Sequence, residues 1–94
     1  MINENPYIDQ HTHIQGMFTR KFSPHVHSND LVWHRDTTDR VVRVVKGNGW
    51  MFQFDESIPF VMIPNESMIF IPAMTYHRII KGKNELILRI FEEK

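Results

Sequence analysis

The sequence predicts an all-β domain, either a β-sandwich or a small barrel. From residue 31 onward, strand-sized runs rich in Val, Ile, Phe and Trp alternate with turn residues. No long segment shows the 3.6-residue apolar period of a helix. The chain has 94 residues, which is the size of one domain. We therefore expect a single domain over residues 1–94, with a weakly patterned N-terminal part over residues 1–30.

Eight strands are predicted in order along the chain. They cover Met17–Phe22, Leu31–His34, Arg40–Lys46, Trp50–Asp55, Phe60–Ile63, Ser67–Ile71, Thr75–Lys81 and Glu85–Phe91. The segments between the later strands are rich in Gly and Asn, which tolerate positive φ, and in Pro, which presets φ. Alternation marks the inward faces of two strands. These faces carry Trp50, Phe52 and Phe54, and Leu86, Leu88 and Ile90.

Composition excludes several classes of function. Eleven Lys plus Arg balance eleven Asp plus Glu, so no basic excess favours nucleic acid as a partner. The absence of cysteine excludes disulfides and thiolate metal sites. The apolar runs are too short to span a membrane, and the polar N-terminus has no secretory h-region. We expect a cytoplasmic protein with no membrane partner, and a homodimer because a thin core leaves strand edges exposed.

Six histidines are the unusual feature of the composition. Without cysteine, a transition-metal site must use histidine and carboxylate. The side-chain period of two along a strand places His34 and Asp36 on one face, and Arg40 joins them if the backbone has no bulge. His77 lies on another predicted strand. Two imidazoles and one carboxylate bind divalent metals and leave coordination positions open for a substrate.

The same segments resemble the two motifs of the cupin family. His34-Arg35-Asp36, followed by Arg40 and Gly47, keeps the spacing of motif one, which is H-x-H, a spacer, Glu, six residues and Gly. The segment Ile71–His77 resembles motif two, in which the metal histidine follows Pro-x-Gly. Both motifs lie within residues 31–91, as in small single-domain cupins. The resemblance implies a double-stranded β-helix, or jelly-roll barrel, that holds a metal inside.

The chain also departs from these motifs. Asp36 replaces the second histidine of motif one, Arg40 replaces its glutamate, and Met74 replaces the glycine after proline in motif two. The ligands then implied are His34, Asp36 and His77, holding Fe(II), Mn(II), Ni(II) or Zn(II). Arg40 cannot ligate a metal and is expected to grip a carboxylate or phosphate of the substrate. In the alternative, Asp36 and Arg40 form an internal ion pair in a metal-free pocket.

The remaining histidines fall into two pairs. His25 and His27 form a more literal H-x-H, but the residues downstream do not fit motif one, and turn residues flank the pair. We expect them on a loop or rim, with His27 as a candidate acid or base. His11 and His13 lie in polar sequence and are expected on the surface.

Two functions follow from these residues. The first is a metal-dependent enzyme of the dioxygenase, isomerase or lyase type, acting on a small organic acid or sugar derivative that Arg40 orients. The second is a non-catalytic small-molecule-binding or regulatory protein. The fold hosts both kinds of function and does not choose between them.

Overall fold

A computed structural model describes residues 6–93 as eight β-strands and one short 3-10 turn. The strands are β1 (Tyr7–His11), β2 (Met17–Phe22), β3 (Arg40–Asn48), β4 (Met51–Phe54), β5 (Phe60–Val61), β6 (Met68–Ile71), β7 (His77–Ile80) and β8 (Lys83–Glu92). The 3-10 turn covers Ser28–Asp30. Met1–Asn5, which belong to the polar N-terminal segment, and Lys94 lie outside the described residues. Within residues 6–93, no helix has the length and apolar character needed to cross a membrane.

The strands form two antiparallel sheets. The larger sheet has the order β1-β2-β8-β3-β6, and the smaller has the order β5-β4-β7. Every pairing between neighbouring strands is antiparallel. The all-β prediction is therefore confirmed.

The core is built from the inward faces that alternation predicts. On β8 the buried side chains are Leu86, Leu88 and Ile90. At the smaller sheet, Trp50 directly before β4 and Phe52 on β4 are buried beside the half-buried Phe54. Trp50 is fully enclosed, and its indole Nε1 donates to the carbonyls of Lys83 and Asn84 at 2.9 and 3.1 Å. The polar atom of the largest core side chain is thus satisfied without access to solvent.

The first strand, β1, was not among the predicted strands. Its apolar Ile8 is exposed, whereas Tyr7 and Asp9 are half-buried. This reverses the usual alternation, and β1 is held instead by its antiparallel pairing with β2 and by an ion pair between Asp9 and Arg20. The hydrophobic pattern of the sequence therefore could not reveal it.

The predicted strand Leu31–His34 is wrong. The 3-10 turn ends at Asp30, directly before this segment, and the chain then forms a bend rather than a ladder. Only His34 pairs, in an isolated antiparallel bridge with His77. The other predicted strands are present, most with different ends, and β2 has the predicted bounds.

Candidate metal centre

Three side chains from the two motif-like segments converge in the interior. His34, Asp36 and His77 each offer one ligand atom, and these atoms all lie within 4.8 Å of one another. His77 is only 3% exposed, and His34 and Asp36 are half-buried. The structure therefore brings together the three residues that the sequence singled out as ligands.

Backbone contacts hold these residues side by side. The N–H of His34 donates to the carbonyl of His77 at 3.0 Å, and the N–H of His77 donates to the carbonyl of His34 at 2.9 Å. Next along the same segment, the carbonyl of Asp36 accepts from the N–H of Met74 at 2.6 Å. Asp36 thus reaches the interior through an extended segment tied to the opposite motif, without the strand that was predicted there.

Each imidazole donates its Nδ1–H to a backbone carbonyl. The Nδ1 atom of His34 lies 3.0 Å from the carbonyl oxygen of Val32, and that of His77 lies 2.8 Å from the carbonyl oxygen of Thr75. Because a carbonyl only accepts, these contacts assign the proton of each neutral ring to Nδ1 and leave the Nε2 lone pair free. Metal-binding histidines have the same arrangement.

The interior lowers the pKa of His77. Burial is the largest cause, and His34 and Arg40 act in the same direction, whereas the Thr75 carbonyl and Asp36 oppose them. The folded protein therefore favours the neutral ring, which is the form that binds a metal.

The Asp36 carboxylate lies between His77 and Arg40. Its Oδ2 is 3.4 Å from Nε2 of His77, and its Oδ1 is 3.4 Å from Nη1 of Arg40. Oδ2 is buried and has no hydrogen-bond partner among the described residues. A bare Nε2 and a carboxylate oxygen are both acceptors, and a cation between them would satisfy both. The residues present therefore fit a divalent ion.

Arg40 is already engaged by carboxylates of its own chain. Its Nη2 donates to Oε2 of Glu92 at 2.8 Å, while Nη1 faces Asp36. Glu92 also accepts from the Thr38 hydroxyl at 3.0 Å. Gly16 helps to place this glutamate, because its carbonyl accepts from the Glu92 N–H at 2.7 Å and a Cβ at position 16 would overlap the Glu92 carbonyl. The internal Asp36–Arg40 contact expected for the alternative site is thus present.

A cavity of about 300 Å³ adjoins the three ligand residues. The inward faces of both sheets supply its apolar wall, which includes Phe22, Val42, Phe52, Ile71, Ile79, Leu88 and Ile90. Asp30 and Val32 line the cavity and are also exposed, so they mark its rim. The space is enough for a small organic molecule beside the candidate metal site.

Solved structures match almost the whole chain, although no protein-family model and no curated protein sequence does. A cupin-2 domain protein from Shewanella frigidimarina matches with a TM-score of 0.65 and 20% identity, over 99% of this chain and 85% of that chain. A cupin domain from Bordetella pertussis matches with a TM-score of 0.63 and 15% identity, over 100% of both chains. The chain has the cupin fold.

A third structure with this cupin likeness comes from Ralstonia eutropha and is provisionally described as a mannose-6-phosphate isomerase. It matches with a TM-score of 0.65 and 20% identity, over 98% of this chain and 88% of that chain. At these identities the likeness establishes the cupin fold and leaves the activity to be argued from the site.

Arg20 is a residue of the cupin interior that was not among the predicted site residues. It lines the cavity and forms a bidentate pair with Asp9, with Nε and Nη2 at 2.7 and 2.9 Å from the two carboxylate oxygens. The sequence did carry a signal for it, because Arg20 shares a strand face with Phe18 and Phe22, which are both buried. A charged residue between two core residues predicts a partner inside.

Two cation–π pairs flank the bridge between His34 and His77. The guanidinium of Arg78 lies 4.6 Å from the ring centre of Trp33, and that of Arg35 lies 5.1 Å from the ring centre of Tyr76. In the antiparallel bridge, the residues on either side of His34 face the residues on either side of His77. These pairs therefore brace the short segment that carries His34 against β7.

The other four histidines lie away from the cupin interior. His25 and His27 are exposed, and neither lines the cavity. The Nδ1 of His27 accepts from the Asn29 N–H and caps the 3-10 turn, so the structure does not bring this candidate acid or base to the site. His11 and His13 are exposed, as expected.

Proposed function

We propose that this cupin-fold chain binds one divalent metal ion through His34, Asp36 and His77, and that a small organic molecule occupies the adjoining cavity. The observation that carries the proposal is the convergence of one ligand atom each from His34, Asp36 and His77 within 4.8 Å, with Oδ2 of Asp36 unpartnered in the described part of the chain. Fe(II), Mn(II), Ni(II) and Zn(II) all accept imidazole and carboxylate. When bound, such an ion supplies Lewis acidity toward a substrate oxygen.

The chain's own residues prepare this site. Arg40 engages Oδ1 of Asp36 and so leaves Oδ2 directed toward His77. Glu92 balances the charge of Arg40, which lowers the repulsion between Arg40 and a bound cation. The ring of Phe52 stacks against His77 with the centroids 5.4 Å apart and keeps that imidazole out of solvent. Three protein ligands leave coordination positions open, as an isomerase, lyase or dioxygenase requires.

A second candidate function is a metal-free protein that binds or senses a small molecule. The contact between Asp36 and Arg40 favours it, because a guanidinium already compensates the carboxylate at 3.4 Å. In this function the cavity binds its ligand without turnover. The two candidates differ in one measurable property, which is the metal content of the purified protein.

Elemental analysis of protein purified without an affinity tag tests the proposal. We expect about one transition-metal ion per chain, and His77→Ala should remove it because one of three ligands is lost. His27→Ala is the matched control, since it deletes an exposed imidazole outside the cavity. A wild-type protein that contains no metal and gains no thermal stability from added Zn²⁺ or Ni²⁺ would favour the metal-free binder.

A further inference from the structure

The first arginine at the cavity has its charge compensated inside the chain. Arg20 donates from Nε and Nη2 to the two oxygens of Asp9, and its guanidinium carbon lies 3.6 Å from the centre of the Tyr7 ring. The Arg20 and Asp9 side chains are only 11% and 24% exposed. A bidentate pair in this setting occupies the edge of the guanidinium that would otherwise bind a carboxylate or phosphate.

The second arginine, Arg40, is compensated twice. Glu92 accepts from its Nη2 at 2.8 Å, and Asp36 lies 3.4 Å from its Nη1. One side of its guanidinium also approaches the ring of Phe18. Nε of Arg40 is buried and has no hydrogen-bond partner among the described residues, but the charge of this guanidinium is already balanced by two carboxylates.

The balance of charge around the cavity is negative. The lining residues include two carboxylates, Asp30 and Asp36, in addition to the two arginines, and no lysine lines the cavity within the described part of the chain. Asp9 and Glu92 stand directly behind the arginines. These four carboxylates outnumber the two guanidinium groups. In the metal-free protein, enclosing another anion in such a site is unfavourable, because it would lose its hydration and meet a net negative charge that the one N–H of Arg40 left unpartnered within residues 6–93 does not offset.

The polar end of the cavity offers acceptors. Oδ2 of Asp36 is buried without a donor, and the Nδ1 contacts of His34 and His77 leave their Nε2 atoms as acceptors; the one buried donor here without a partner among the described residues is Nε of Arg40. The rest of the wall is mainly aliphatic and aromatic. A ligand that matches this surface is mostly apolar and carries an uncharged head group with an N–H or O–H.

We infer that the metal-free cavity takes an uncharged, mainly apolar organic molecule with a hydrogen-bonding head group such as an amide or an alcohol. This inference deepens the proposed function and rests on it for the choice of site. At about 300 Å³ the cavity is at the lower end of small-molecule sites, so the ligand has about the size of a single substituted ring. The inference departs from the expectation of an acidic substrate gripped by Arg40.

Matched pairs of compounds that differ in charge and hardly in size test it. Chelator-treated protein is titrated with benzamide and benzoate, phenylacetamide and phenylacetate, and cyclohexanecarboxamide and cyclohexanecarboxylate, and dissociation constants are measured by NMR shifts. In at least one pair the amide should bind at least about tenfold more tightly than the carboxylate. Tighter binding of the carboxylates, or no binding of any of the six compounds, would overturn the inference.

A charge variant tests the reason for the preference. Asp9→Asn keeps an acceptor for Arg20 but removes its counter-charge. The affinity of the carboxylate relative to that of the matched amide should therefore rise about tenfold. Asp55→Asn is the control, because it makes the same change at an exposed residue away from the cavity, and it should leave the ratio unchanged. If Asp9→Asn does not fold, Glu92→Gln makes the corresponding change beside Arg40. An unchanged ratio in the folded variant would overturn the inference.

Metal analysis of the untreated protein separates the two proposals. A chain that contains no metal but prefers the amides contradicts the metal function and supports the charge inference. A chain that contains metal but prefers the carboxylates after chelation supports the metal function and overturns the charge inference.

Discussion

Replacing Asp36 by asparagine should separate the stability of the metal-free protein from its response to metal. In the metal-free protein, Oδ2 of Asp36 faces Nε2 of His77 at 3.4 Å, and neither atom carries a proton for the other. An asparagine side chain is nearly identical in shape to that of aspartate and would place an N–H donor at this position. The perturbation therefore turns a pair of facing acceptors into a hydrogen bond.

The expected magnitude follows from these contacts. Satisfying a buried acceptor and adding a hydrogen bond stabilises by about 1–3 kcal/mol, and losing the long Asp36–Arg40 contact offsets part of this. Arg40 keeps its shorter bond to Glu92 at 2.8 Å. The net gain of about 1 kcal/mol raises the melting temperature of the metal-free Asp36→Asn protein by about 4–8 °C.

The same substitution should abolish stabilisation by metal. An ion at a free concentration of 100 times its dissociation constant stabilises the wild type by about 2.7 kcal/mol, which is about 10–20 °C for a domain of this size. Asp36→Asn removes the only charged ligand of the proposed three, so the shift should nearly vanish. The assay is calorimetry with and without Zn²⁺ or Ni²⁺, with Asp55→Asn as the control. A less stable metal-free Asp36→Asn protein that still shows the full metal shift would refute the reasoning.

The remaining predictions concern the cation–π pair of Arg78 and Trp33, the pH dependence of stability and the homodimer. Arg78→Gln removes the cation over Trp33, so the dissociation constant of the metal should rise about 5–10-fold. The same change at the exposed Arg43 should leave this constant unchanged. Equal effects of the two variants in isothermal titration would contradict a role of the Arg78–Trp33 pair in holding His34 in place. Since burial lowers the pKa of His77, the unfolded chain binds the proton more readily, and metal-free stability should fall as the pH drops below 6.5. His77→Gln should reduce the fall of the melting temperature below pH 6.5. An unchanged dependence on pH would show that His77 is not its source. The proposed homodimer should be visible by light scattering, and Phe91→Asp on the exposed outer sheet face should dissociate it; a monomeric wild type would exclude that assembly.

Local sequence pattern was enough to predict the core, and together with the cupin motif resemblance it predicted the three converging residues. Alternation placed Trp50 and Leu88 in the interior, and the spacing of His34 and Asp36 placed them on one side of the chain even though the segment is no strand. A two-residue spacing survives in any extended backbone, which explains why His34 and Asp36 lie on one side although the predicted strand is absent.

The features that were not predicted depend on contacts between distant residues. The charge of Arg40 is compensated by Glu92, which lies 52 positions away in the chain. The pairing of β1 depends on β2, because its apolar Ile8 points to solvent. The interior position of Arg20 could be inferred from its two phenylalanine neighbours, but its bidentate partner Asp9 could not. Periodicity reports which side of a strand is buried and does not report which charges meet there.

An anomalous-scattering map of crystals grown from tag-free protein tests the central claim most directly. We expect one peak in the interior, at about 2.0–2.2 Å from Nε2 of His34, Nε2 of His77 and Oδ2 of Asp36. If the interior shows no anomalous peak and Asp36 forms a close ion pair with Arg40, the metal site is contradicted. The protein would then be a metal-free binder of small molecules.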